Sequence, residues 1–118
     1  MAKGDDIQER LLNFAVNTIS VCGLLPKTDV GKHIAGQLLR CGTSPAPNYG
    51  EARGAESKND FVHKLGIVLK ELHESAIWLE MAKRSQLLAP EKVSPLLNEC
   101  TELSRIIGAS ITTAVKKS

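Results

Sequence analysis

Between Asp60 and Leu79, the positions Phe61, Leu65, Val68, Leu72, Ser75 or Ala76, and Leu79 fall three and four residues apart. That spacing returns side chains to one face of a helix and would scatter them over both faces of a strand, so it predicts a long amphipathic helix ending around Gln86 to Leu88. Three other stretches carry the same period. Ile7, Leu11, Phe14 or Ala15, Thr18 or Ile19, and Cys22 lead up to Gly23. Ile34, Leu38 and Cys41 follow a start near Val30, and Leu96, Cys100, Leu103, Ile107, Ile111 and Ala114 run to the basic pair Lys116-Lys117. Start signals stand between them: Asp5 and Asp6 just before the first, Thr28 or Asp29 after Pro26, Ser57 or Asn59, and Pro90, with Ser94-Pro95 as a second start one turn later. No run alternates with period two. The expectation is an all-α, antiparallel up-down-up-down four-helix bundle forming one domain over residues 1–118.

The second segment does not run on cleanly. Gly42-Thr43-Ser44-Pro45-Ala46-Pro47 places two prolines where a straight helix would lose hydrogen bonds and clash with its preceding turn. Ser44 suits an N-cap, Pro45 a first helical position, and Pro47 a turn whose N–H groups have no partner. The expected result is a kink near residues 42–47 and a short continuation to about Arg53, stopped at Gly54.

Composition removes several classes of function. With 42% hydrophobic and 24% charged residues, the chain reads as a folded soluble domain. No apolar run reaches the roughly 18 residues that span a bilayer, and MAKGDDIQER lacks the apolar core of a signal peptide, so a cytoplasmic location with no membrane contact is expected. Cys22, Cys41 and Cys100 form no CxxC pair and read as reduced, buried residues. The net charge of +2 permits contact with nucleic acid without arguing for it. His33, His63 and His73 are the general acid/base candidates, but no E-x-x-H pair, phosphate-binding loop or nucleophile elbow accompanies them. No enzyme, metal site or cofactor is expected.

Three groups of residues merit a role. Arg40, Ser44, Asn48 and Glu51 recur at steps of four, four and three, and antiparallel folding turns Glu51 towards Asp60, Asn48 towards Lys64, and Arg40 towards Glu71 or Glu74. The structural reading is a polar seam around the kink, in which Arg40 holds a carboxylate; the other reading is a ligand site. Arg53, Lys58, Lys64, Lys70, Lys83 and Arg84 lie on or beside the long helix. They are ordinary solvated residues, or else a nucleic-acid surface that symmetry concentrates on assembly. With aromatics at 3%, such binding would follow shape and charge and not base stacking. Val62, Ile67, Leu69, Ile77 and Trp78 widen the apolar stripe of the long helix beyond its seam, as a broad core or as a subunit interface.

The stretch QLLRCGTSPAPNYGEARGAESKNDFVHKLGIVLKELHES closely resembles the signature of the four-helix-bundle family that includes proteins encoded in intervening sequences of large-subunit ribosomal RNA genes. That pattern couples Q-L-L-R-S-G-T-S, A-N-x-x-E-A and S-x-x-D-F elements to a long helix, and the likeness extends to the late E-L-S-R-I-I segment. Cys41 stands where serine is common, and Pro45 and Pro47 where small or β-branched residues are common. The resemblance implies a ring-like homopentamer. Through a related branch that serves the reverse transcriptase of diversity-generating retroelements, it also implies binding to RNA, DNA or a nucleic-acid-processing protein. The alternative is a structural or protein-interaction module that touches no nucleic acid.

Overall fold

Two hydroxyl caps and two prolines decide where the rods begin and bend. The computed structural model describes residues 3–117, with helices α1 (Lys3–Cys22), α2 (Asp29–Thr43), α3 (Pro45–Arg53), α4 (Lys58–Arg84) and α5 (Pro90–Lys116) and no strand among them. Thr28 Oγ1 accepts from the Gly31 N–H at 3.1 Å, and Ser57 Oγ accepts from the Asp60 N–H at 3.0 Å; each satisfies a donor that has no carbonyl partner in the first turn.

The bend falls where the prolines require it. Pro45 and Pro47 cannot donate to the carbonyls of Cys41 and Thr43, and the helix breaks for the single residue Ser44. Ser44 stays in the right-handed helical region (φ −75°, ψ −36°), so α2 and α3 remain one bent rod. This geometry also corrects the expected cap. A capping side chain needs extended backbone to reach back, and Ser44 makes no such bond. Instead, its hydroxyl and carbonyl accept from Asn48 Nδ2 at 2.9 and 3.0 Å.

α1, the bent α2–α3 rod, α4 and α5 form the up-down-up-down bundle. Each rod packs against two neighbours, and the diagonal pairs, α1 with α4 and α2–α3 with α5, make no close approach among the described residues. The molecule measures 49 × 22 × 22 Å. No described helix is long and apolar enough to cross a membrane.

Leu11, Phe14, Leu38, Leu65, Leu72, Leu79, Leu103 and Ile107 are fully buried along the axis. In α1 the core takes both Phe14 and Ala15, and it takes Thr18 while Ile19 faces out. Thr18 is tolerated there because its hydroxyl donates to the Phe14 carbonyl at 2.8 Å; Ser75 of α4 does the same to Glu71. Two boundaries differ from expectation, and a third alternative is decided. Asp5 and Asp6 lie inside the first turn of α1, where they still oppose the helix dipole. α4 stops at Arg84, because Gln86 adopts φ 64° and the N–H groups of Leu87 and Leu88 fold back onto the Ala82 carbonyl. α5 starts at Pro90 and carries Pro95 within it, so the second start is not used.

At Gly42, α2 packs tightly onto α1. A Cβ there would lie 2.5 Å from Thr18 Cγ2, whereas one at Gly36 would meet nothing within 4 Å. Gly42→Ala is therefore expected to cost about 1–3 kcal/mol through overpacking. Gly36→Ala should gain about 0.5–1 kcal/mol by restricting the unfolded chain. Denaturant midpoints of the two variants, read against the wild type, check both signs.

Candidate functional site

The bent rod lies along α4, and their shared edge carries the polar seam. Arg40 is one turn before the bend. Its Nη1 is 3.3 Å from Glu71 Oε1, its Nη2 bonds Glu74 Oε2, and the same Nη2 donates to Gln37 Oε1 at 3.2 Å. Glu74 also accepts from the Trp78 indole N–H at 3.1 Å, and the Trp78 ring meets His33 edge-on at 5.7 Å. Beyond the bend, Lys64 Nζ contacts Glu51 Oε1 at 2.7 Å. Arg40 thus reaches the two carboxylates expected of it. The lower half of the seam is shifted by a turn: Glu51 meets Lys64 and not Asp60, since two carboxylates repel, and Asn48 turns back to Ser44.

The six cations do not converge. Arg53 pairs with Asp5 of α1 at 2.6 Å, Lys64 with Glu51, and Lys83 and Arg84 both with Glu80 at 3.6 and 2.9 Å. Lys58 donates to the Lys117 carbonyl at 2.9 Å. Lys70 is exposed, with no carboxylate in ion-pair reach among the described residues. Surface pairs of this kind contribute little to stability, yet they do cancel local potential. The long helix therefore presents alternating signs and no basic stripe.

The apolar surplus is also arranged differently from expectation. Ile77 is 59% exposed, Val62 and Ile67 are half-buried, and Leu69 and Trp78 are half-buried against the core. A stripe that the sequence reasoning missed lies on the outer face of α1: Leu12, Val16 and Ile19, at 46%, 58% and 53% exposure. Its spacing of four and three was readable, but the Ile7–Leu11–Phe14 seam already accounted for the helix. On α4, Met81 joins Ile77 one turn on.

Little reactive chemistry is exposed. Cys22, Cys41 and Cys100 are free and buried; burial pushes the Cys100 thiol up to about 12, and its Sγ donates to the Leu72 carbonyl at 3.0 Å. His33, His63 and His73 are exposed, and the described residues hold no group of three or more His, Cys, Asp or Glu placed to bind a metal.

The Trp78 indole N–H, with the Arg40 guanidinium, holds the Glu74 carboxyl below its ordinary 4.5. A carboxyl lowered on folding contributes stability that is fully present above its unfolded pKa and is lost as pH falls through the folded one. The melting-temperature gap between wild type and Glu74→Gln should be open near neutrality and should narrow below about pH 4.5. Arg40→Ala should lower the melting temperature in the same pH range, since it removes that carboxylate's cation. A Glu74→Gln gap of constant size down to about pH 3 would contradict the assignment.

Comparison with known proteins adds an identity to this geometry. No curated protein matches the chain. Among solved structures, a protein of unknown function from the S23 ribosomal protein family of Bacteroides thetaiotaomicron VPI-5482 superimposes with a TM-score of 0.87 at 32% identity, covering 94% of this chain and 99% of that one. The model of the 23S rRNA-intervening sequence protein family matches residues 5–109, from the first turn of α1 through most of α5 and across the bent rod with its seam. The chain belongs to the 23S rRNA-intervening sequence protein family.

Proposed function

We propose that this chain is a non-enzymatic, cytoplasmic scaffold that self-associates head to tail into a ring and presents the ring's surface to a partner protein. The observation that carries this reading is the placement of the two exposed apolar stripes. Leu12, Val16 and Ile19 lie on α1, and Ile77 and Met81 lie on α4, the rod diagonally across the bundle. A two-fold axis pairs a patch with itself. Two different patches on opposite sides suit a heterologous contact, one copy's α1 against the next copy's α4, which closes when the rotation per copy divides a full turn. Such stripes are costly to leave in water and are typical of association surfaces. Five copies is the number implied by the resemblance, and the geometry adds nothing to that count.

Nucleic-acid binding is the second reading, for RNA, DNA or a nucleoprotein. Its support is Lys70, exposed without a carboxylate partner among the described residues and repeated once per copy in a ring, together with the net +2 of each chain. Against it stands the local pairing of Arg53, Lys64, Lys83 and Arg84.

Mass measurement in solution tests the assembly. Val16→Glu and Ile77→Glu should each reduce the wild-type oligomer to monomers, because each removes one side of every contact. Mixed in equal amounts, the two variants should form a dimer and nothing larger, since one intact α1 stripe then meets one intact α4 stripe. Variants that keep the wild-type mass would sink the head-to-tail contact. In a parallel titration, retention of RNA or DNA that weakens steeply with salt, and weakens further in Lys70→Glu, would favour the second reading.

A further inference from the structure

A groove of about 640 Å³ opens at the end of the bundle where α1 begins and α5 finishes, away from both apolar stripes. Ile7 of α1, Phe61 of α4, and Ile106, Ala109 and Ala114 of α5 form its apolar walls. Small residues in the last turns of α5 leave this space unfilled. The volume falls within the roughly 300–1,000 Å³ usual for small-molecule sites.

One polar group on its lining is unusual. Tyr49 of α3 is only 6% exposed, yet its hydroxyl makes no hydrogen bond among the described residues. The buried hydroxyls of Thr18 and Ser75 are both bonded to carbonyls. A buried tyrosine hydroxyl ordinarily finds a partner. No side-chain oxygen or nitrogen that is sealed from solvent lacks a partner among the described residues, so the Tyr49 oxygen keeps access to open space, and the space that Tyr49 lines is this groove. Burial pushes the phenol up from its ordinary value, against a smaller opposite pull from Arg53, so the hydroxyl is neutral near pH 7 and able both to donate and to accept.

The rim favours an uncharged occupant. Arg10 is held by both Glu99 carboxylate oxygens at 2.7 and 3.0 Å, which leaves one residue of each sign on the lining, Asp6 and Lys117. An anionic head would find no free cluster of cations there.

We infer that the groove is a binding site for a small, mainly apolar, uncharged molecule that carries one hydroxyl or carbonyl group, with Tyr49 as the hydrogen-bond partner of that group. The site is independent of the proposed ring, because its walls include neither the α1 stripe nor the α4 stripe.

Naphthalene and 1-naphthol, which differ by one hydroxyl, probe the site on the full chain. Methyl NMR signals of Ile7 and Ile106 should shift saturably with both, and 1-naphthol should bind the tighter. Tyr49→Phe should weaken 1-naphthol about five-fold and leave naphthalene unchanged, the size expected of one neutral hydrogen bond. Its melting temperature should match the wild type, because no internal bond is lost. Ala109→Trp, at an exposed position on α5, should abolish binding of both compounds. The proposal is overturned if the methyl signals do not shift, if 1-naphthol binds Tyr49→Phe as tightly as wild type, or if Ala109→Trp binds both compounds normally. A marked drop in Tyr49→Phe stability would also overturn it, by revealing an internal partner for the hydroxyl.

Discussion

The bend at Ser44 is the constraint on which the remaining geometry depends. Two prolines deprive the rod of two backbone donors, and a hinge of that kind is left weak unless its neighbours hold it. Three do. Gly42 lets α2 settle directly onto Thr18 of α1, Gln8 of α1 donates to the Ala46 carbonyl at 2.9 Å, and Arg40 ties the upper arm to Glu71 and Glu74 of α4. Both arms lie between the same two neighbours, α1 and α4, and α3 runs on to the end of the bundle where α1 starts. Tyr49 arrives at the groove for that reason. A straight rod would carry it elsewhere.

The electrostatics follow from the same arrangement. A chain with a small positive surplus could gather its cations or disperse them, and the antiparallel packing disperses them. Arg53 finds Asp5 across 48 residues of sequence, Arg10 finds Glu99 across 89, and Lys64 finds Glu51 across 13. Each pair is weak as a source of stability. Together they even out the charge over the bundle's surface, leaving exposed aliphatic side chains as the more distinctive feature of that surface.

The fold was legible because the helical period and the start and stop residues agree at nearly every boundary: Thr28, Ser57, Pro90 and the Pro45–Pro47 pair all act where their local chemistry places them. Arg40 and its two carboxylates were legible for the same reason, since an antiparallel hairpin fixes which residues face each other. What was not legible depends on contacts between rods distant in sequence. The neutralising partner of Arg53 lies on α1, and no local pattern brings it there. Likewise, a surplus of apolar residues on α4 says that some will be exposed, while the width of the core, set by all four rods, decides that Leu69 and Trp78 pack inward and Ile77 does not. The α1 stripe was hidden by a seam of the same period on the same helix.

The perturbed groups bear on whether such a bundle does chemistry. An active site spends folding energy on strain and on charges held away from their ordinary pKa values, usually in a cleft. Here the shifted groups have packing explanations: the cysteines are raised by burial, and Glu74 is lowered by an indole and a guanidinium in a seam that holds the bend. Two shifted groups do line the groove, and both have packing explanations as well: Arg10 is raised by its bond to Glu99, and Tyr49 by burial. Among the described residues that line it, the Tyr49 hydroxyl is the buried one that makes no hydrogen bond, and it is neutral near pH 7. Apolar walls with a buried, neutral hydroxyl among them give the groove the means to hold a molecule and orient it.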